Sequence, residues 1–323
     1  MRRKMLPLLL LLCLLLGSCS SDPLAPMATL PDAGVLPAPA VDAIRREDHP
    51  SVLWFRFGQE PLLTAEYREI AYSPSDGYAL TLLRALLQGP SATSTELNGL
   101  FPQGTKVLSV RQEERCMFVT LSRHIMNGYA DEPSTWRSDA YWAVEVPLRR
   151  ELAMQAIAAT LTENCDVDTV VILVEQHDAA AESLRLSQGY YTREDNPALA
   201  APLRRDEALL LTPSRTAEVI LECWQESDWT RLYRYVARND PATGLERPDE
   251  ADFVQRMSRG LHLLHAQADG GSSSGSRAVF TVSGAWLKNG SPQPFSGMVL
   301  KLVKERNLWR IGLSELTGRE AQP

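Results

Sequence analysis

Apolar residues recur at two spacings along the chain, and the changes between them mark its elements. VLWFRF at 52–57 alternates well enough for a strand, and AEYREIAY at 65–72 reads as a return beside it. The spacing turns helical in DGYALTLLRALLQGP, where Leu80, Leu83, Leu86 and Leu87 recur at helical intervals. Gly89-Pro90 stops this helix, since proline lacks an amide proton and restricts the residue before it. TKVLSVRQEERCMFVTLS reads as a hairpin turning at Gln112-Glu113-Glu114. Val107, Leu108 and Val110 supply one arm, while Met117, Val119 and Leu121 mark one face of the other. Residues 124–145 hold Trp136, Tyr141 and Trp142 without a clear period and read as a loop packed over a sheet. Pro147 then precedes LRRELAMQAIAATLTE, a helix, and DTVVILVE is a strongly apolar strand.

In order, residues 51–176 predict β(β)-α-β-β-α-β, a compact body with two helices on one face of a small mixed sheet. Residues 177–211 read as a connector carrying Pro197 and Pro202, although AAAESLRLS within it suits a helix. After Pro213, Val219, Ile220, Cys223 and Trp224 form an apolar stripe. Leu232, Tyr233 and Val236 continue it into a second short helix, and a third starts after Pro248. Strands are expected around LHLLHAQA, SRAVFTVSGAWL, QPFSGMVLKLVKE and LWRIGLSEL. Asp269-Gly270-Gly271 and the Ser/Gly run at 272–276 read as one loop, and Asn289-Gly290 as a hairpin turn. Residues 212–318 thus predict helices followed by a curved antiparallel sheet, with 319–323 as a tail. The expected class is α+β.

The start of the chain follows another pattern. Arg2, Arg3 and Lys4 precede an apolar run, Leu6 to Leu16, that is short of the roughly 20 residues that span a bilayer comfortably. Leu16-Gly17-Ser18-Cys19 resembles the lipobox of bacterial lipoproteins. That resemblance implies removal of residues 1–18 and a diacylglyceryl group on the Cys19 thiol. The chain is then anchored to the extracytoplasmic face of the cell membrane. An uncleaved membrane anchor and an ordinary secretory peptide with an incidental cysteine are the alternatives. Residues 19–50, rich in Ala and Pro, read as an extended spacer.

A net charge of -7, more negative once the basic start is removed, argues against a general nucleic-acid surface. Cys13, Cys19, Cys116, Cys165 and Cys223 make neither a dense disulfide framework nor a CxxC pattern. A Cys116–Cys165 bridge is compatible with an extracytoplasmic setting, but separate buried thiols are the simpler reading.

Several pieces resemble one known family in its own order. They are Leu86-Leu87-Gln88-Gly89-Pro90, Phe101 through Val107 (FPQGTKV), Met117 through Ser122, and Thr160-Leu161-Thr162-Glu163 followed by Val167 through Val174. Together they resemble the GerMN domain of spore germination proteins, over most of residues 50–176. The resemblance implies an extracytoplasmic, often lipid-anchored domain similar to the ring-building folds of secretion and sporulation assemblies. The chain departs from the pattern at Val174-Glu175-Gln176, where the family commonly places a glycine soon after the strand. Residues 212–318 resemble the nuclear-transport-factor-like cone at Asp228 through Tyr235 (DWTRLYRY) and at Trp309-Arg310-Ile311. That superfamily includes enzymes, ligand carriers and inert assembly modules, so the fold does not choose a function.

Motifs of catalysis are absent from the sequence. There is no G-x-S-x-G elbow, Walker loop or dinucleotide fingerprint. His262 and His265 are three apart and face opposite sides of a strand, while His124 and His177 lack a ligand pattern, so no metal is expected. Glu226 and Asp228 suit the mouth of the cone or helix-end caps, and Arg231 with Arg234 reads as an exposed basic pair. No catalytic, cofactor or metal residue is assigned, and Cys19 is the one site, for lipid attachment. The expectation is a lipid-tethered interaction or assembly scaffold whose candidate partners are the membrane, envelope or sporulation proteins and a second copy of the chain. Trp136, Tyr141, Trp142, Tyr190 and Tyr191 are candidate anchors for it. A small-ligand or peptidoglycan-binding carrier is the alternative.

Overall fold

The computed structural model describes residues 47–73, 75–176, 183–191, 196–260, 262–288 and 290–317. The lipobox, Cys19, the spacer through residue 46 and His177 lie outside the described residues. The mixed α+β architecture expected from the sequence is present, in three sheets among the described residues.

The first hairpin pairs β1 (Glu47–Phe57) with β2 (Leu63–Tyr72), from Glu47 opposite Tyr72 to Arg56 opposite Leu63. The strand therefore starts inside the segment read as spacer, because β2 is long enough to pair with those residues. A two-residue strand, β3 (Leu97–Asn98), adds to the end of β1. Helix α1 (Tyr78–Gln88) buries Leu82, Leu83 and Leu86 and ends at Gly89, whose φ of 94° suits glycine.

The second sheet has the order β4-β5-β6-β7. Strands β4 (Val107–Glu113) and β5 (Cys116–Leu121) form the expected hairpin, with its turn at Glu114 and Arg115. β5 runs parallel to β6 (Thr169–Glu175), and the crossover between them is α2 (Trp142–Asn164). The strands thus divide between two sheets instead of sharing one, with α2 packed against β1 and β6. This helix buries residues on several sides, among them Leu152, Met154, Ile157 and Leu161. Its polar residues satisfy the β1 edge. Asn164 accepts the Val52 amide at 2.9 Å and donates to the Val52 carbonyl at 2.7 Å, while Thr160 Oγ1 accepts the Trp54 amide at 3.2 Å.

Two readings of the connector change. Ser183–Arg185, part of the stretch that suits a helix, forms β7 on the free edge of β6. Residues beyond it pack onto the body: Ala200, Leu210 and Leu211 are buried, and the Leu211 amide donates to the Leu63 carbonyl at 2.7 Å.

Helix α4 (Pro213–Glu226) follows a four-residue helical turn, α3 (Gln188–Tyr191). Thr212 caps α4, and its apolar stripe packs on the third sheet. Next come α5 (Trp229–Tyr233) and α6 (Glu250–Ser258). The antiparallel strands β8 (His262–Ser274), β9 (Arg277–Lys288), β10 (Ser291–Glu305) and β11 (Leu308–Ile311) lie in the order β11-β10-β9-β8. Lys288 pairs with Ser291 across the expected turn. The Gly/Ser run read as a loop is strand as far as Ser274, because β9 pairs with it throughout. A Cβ on Gly271 would lie 2.2 Å from the Phe280 ring, so glycine here makes room for that ring. Gly271→Ala is expected to lower stability by about 1–3 kcal/mol through overpacking. Gly270→Ala, with nothing within 4 Å of its Cβ, is the control, and urea midpoints distinguish them.

Residues of the segments read as two bodies share one core within the compact unit Arg45–Pro323. No helix among the described residues is long and apolar enough to cross a membrane.

Candidate functional site

A cleft among the described residues lies in the first segment. It holds about 410 Å³ and is lined by Arg56 at the end of β1, Gln59 in the turn after it, residues 98–103 from the end of β3 onward, Tyr129 to Asp131, and Arg149 on α2. Sequence pattern gave no reason to bury an arginine in VLWFRF, yet the Arg56 side chain is only 4% exposed. Its Nε donates to the Glu60 carbonyl at 2.8 Å and its Nη2 to the Gln59 carbonyl at 2.9 Å, which holds the turn after β1. The same guanidinium takes both oxygens of Glu145, a residue 6% exposed, through Nη1 and through Nη2 at 3.1 Å.

Glu145 reaches this position because α2 begins at Trp142 and not after Pro147. Asp139 accepts the amides of Tyr141 and Trp142 at 2.9 and 3.0 Å, capping a turn that reads as loop in the sequence. Arg149, one turn on, donates Nε to Glu145 at 2.6 Å. Its two terminal nitrogens grip Asp131 at 2.7 and 2.9 Å. Arg56, Glu145, Arg149 and Asp131 thus form one alternating chain of charge. Burial pushes the Glu145 carboxyl up, but bonds from Arg56 and Arg149 outweigh it and hold it below the ordinary range. Arg149 likewise holds Asp131 low.

An aromatic surface adjoins the cleft. Arg149 lies over Tyr129 and Trp142, each at 5.3 Å, and Tyr141 meets Trp142 edge to face at 5.2 Å. Arg137 and Arg150 lie over Trp136 at 4.3 and 5.5 Å, and Arg150 also lies 5.5 Å from Tyr190. The Tyr190 hydroxyl donates to the Ile125 carbonyl at 2.8 Å, and burial pushes it up to about 12. Of the anchors expected from the sequence, Trp136 and Tyr190 therefore share Arg150, and Tyr141 and Trp142 meet beside Arg149, with Tyr141 56% exposed. The side chain of Tyr191 lies outside the described residues.

Other expected residues fall elsewhere. Asp228 caps α5, accepting the Arg231 amide at 3.0 Å. Arg231 and Arg234 are not a free basic pair: both converge on Glu60, which is 3% exposed, at 2.8 and 3.6 Å. The carboxylate stands in the β1–β2 turn, so sequence proximity could not reveal it. His262 and His265 flank a bulge in β8 at Leu264, and among the described residues no group of three His, Cys, Asp or Glu side chains is placed to hold a metal. Cys116, Cys165 and Cys223 are free thiols, and burial pushes Cys165 up to about 11 and Cys223 up to about 12.

The Germane family model, described as sporulation and spore germination, matches residues 58–179. The match covers less than half of the chain, and this segment is similar to that family. The resemblance to GerMN domains read from FPQGTKV and its companion pieces is borne out, and the cleft lies largely within this Germane-like segment. Among solved structures, the tandem GerMN domains of the sporulation protein GerM from Bacillus subtilis are 14% identical, covering 49% of this chain and 47% of that one, with a TM-score of 0.33. The chain thus spans about half the length of that tandem protein. The first GerMN domain of the same protein is 15% identical, covering 49% of this chain and 96% of that one, with a TM-score of 0.31. A protein from Catenulispora acidiphila with a ketosteroid isomerase-like fold, in complex with trimethylamine, is 15% identical over 33% of this chain and 93% of its own, with a TM-score of 0.24. At these scores no likeness carries the assignment, which rests on the family match. No curated protein matches the chain.

Proposed function

We propose that this chain is a lipid-tethered interaction or assembly module working outside the cytoplasm in sporulation or germination, and that it is not an enzyme. The observation that carries this reading is the cleft of the Germane-like segment, whose ionisable groups neutralise one another. A catalytic acid or base needs a proton that moves near the working pH. Glu145 and Asp131 are instead held ionised by Arg149, with Arg56 adding to the hold on Glu145. Such a wall favours a fixed shape for docking. In this reading Cys19 carries the lipid, since a pair of acyl chains suffices for stable attachment. Residues 19–46 supply reach, and 212–318 form the nuclear-transport-factor-like part of the scaffold.

A photo-crosslinking side chain at Gln103 or Asn98, both exposed on the cleft rim, tests the reading in the chain's own membranes. Reproducible links to envelope or sporulation proteins, weakened in a Cys19→Ala version released from the membrane, are the expected result. Links between copies would make the chain an assembly unit. Capture of peptidoglycan fragments or a small molecule instead would replace the scaffold by the carrier reading. Unchanged membrane attachment of the Cys19→Ala protein would remove the anchor from the proposal.

A further inference from the structure

We infer that the surface built on Trp136, Arg137, Arg150 and Tyr190 is a docking site for an acidic polypeptide segment of a partner protein. The inference deepens the interaction reading by naming the partner's chemistry. Its template is the residue beside Arg150 on the same helix. Arg149, stacked beside Tyr129 and Trp142, carries a carboxylate gripped through both terminal nitrogens, that of Asp131. Arg137 and Arg150 repeat this construction over Trp136 and Tyr190, but among the described residues neither forms an ion pair. Glu132, whose charge is felt by Tyr190, accepts the Tyr129 amide at 3.0 Å and pairs with neither arginine.

Two guanidiniums flanking one indole offer planar donor forks whose geometry matches carboxylates. An indole between them supplies an aromatic anchor of the kind that dominates interface energetics. On a chain of net charge -7, Arg137 and Arg150 are two cations without an ion-pair partner among the described residues. Acidic groups on a partner are attracted to these two cations. A peptide carboxylate is the committed ligand because Arg149, on the same helix as Arg150, already holds one in this way, that of Asp131. Tyr141 and Val144 are exposed near the start of that helix, so anionic vesicles are the competing outcome of the test.

The test uses the full chain, an octaglutamate peptide, an octaglutamine peptide, and vesicles of phosphatidylcholine with or without phosphatidylglycerol. Octaglutamate is expected to bind, octaglutamine is not, and affinity falls with salt. Arg137→Gln and Arg150→Gln should each weaken binding by about 10-fold, the scale of one charge-assisted hydrogen bond. Arg150→Lys should recover only part, because an ammonium lacks the fork. Circular dichroism confirms that each variant remains folded. Equal binding of the glutamine peptide, no loss in the double arginine variant, or preference for phosphatidylglycerol vesicles over octaglutamate would each overturn the inference. Crosslinks from Gln103 test the broader interaction reading separately, so the patch can fail while that reading stands.

Discussion

Replacing Glu145 by leucine is expected to destabilise the fold by about 3–5 kcal/mol, the scale for breaking a buried ion pair from one side. The cost arises from what remains. Arg56 keeps its bonds to the Gln59 and Glu60 carbonyls but is left with a buried, uncompensated charge, and Arg149 keeps only the exposed Asp131. Replacing Arg56 by methionine and Glu145 by leucine together should recover much of the loss, since no charge is then stranded. A urea titration at neutral pH measures all three proteins.

Acid supplies a second readout of the same pair. The folded Glu145 carboxyl sits below its ordinary value of 4.5, so the unfolded chain takes up the proton first as pH falls. Its contribution is therefore complete above the ordinary value and is lost as pH drops through the lower folded one. Asp131 acts in the same direction, below its ordinary 3.8. Wild-type stability should fall across this acidic window, and Glu145→Gln should flatten the slope. An unchanged slope together with a neutral-pH loss under about 0.5 kcal/mol, the scale of an ordinary surface substitution, would contradict the buried pair.

The second large effect is expected at Glu60. This buried carboxylate receives Arg231 through Nε at 2.9 Å and Nη2 at 2.8 Å, with Arg234 at 3.6 Å. Around it the Phe57 and Tyr235 rings meet edge to face at 5.4 Å, so the Germane-like segment and the helices after it are joined at this point. Glu60→Ala leaves Arg231 partly buried without its partner, and a loss of about 3–5 kcal/mol is expected. Because the lost contact joins distant parts of the chain, cooperativity should suffer too. Unfolding followed by tryptophan fluorescence and by far-ultraviolet circular dichroism should cease to coincide. A double-mutant cycle with Arg231→Ala should give a coupling energy of about 0.5–3 kcal/mol. Coincident transitions with no measurable coupling would mean that the pair joins nothing.

These two clusters also show where sequence reasoning ends. The periods in VLWFRF, DGYALTLLRALLQGP and DTVVILVE are local properties of the chain, and they appear as β1, α1 and β6 because backbone geometry imposes them on any sequence. The GerMN resemblance was legible for the same reason, since its pieces are contiguous and ordered. Local signals failed where a tertiary partner outweighed them. Glycine and serine at 270–274 signal a loop, yet pairing with β9 and the Phe280 ring draw them into a strand. Ser183–Arg185 suits a helix, yet β6 offers an unpaired edge. The start of α2 depended on a cap from Asp139, and Pro147 masked it.

The candidate site was half legible. Trp136, Tyr141, Trp142 and Tyr190 stand out by type, and the structure adds that the first and last share Arg150 while the middle two meet beside Arg149. Arg56 and Glu145 are 89 positions apart, and Glu60 and Arg231 are 171 apart, so no window along the chain pairs them. The sequence alone determined the class and order of the elements with strong local periods, since those follow from short-range sterics and the burial of apolar stripes. Only the tertiary structure decided which charges share a buried pocket and which stay open, because that depends on which distant side chains folding brings within hydrogen-bond distance.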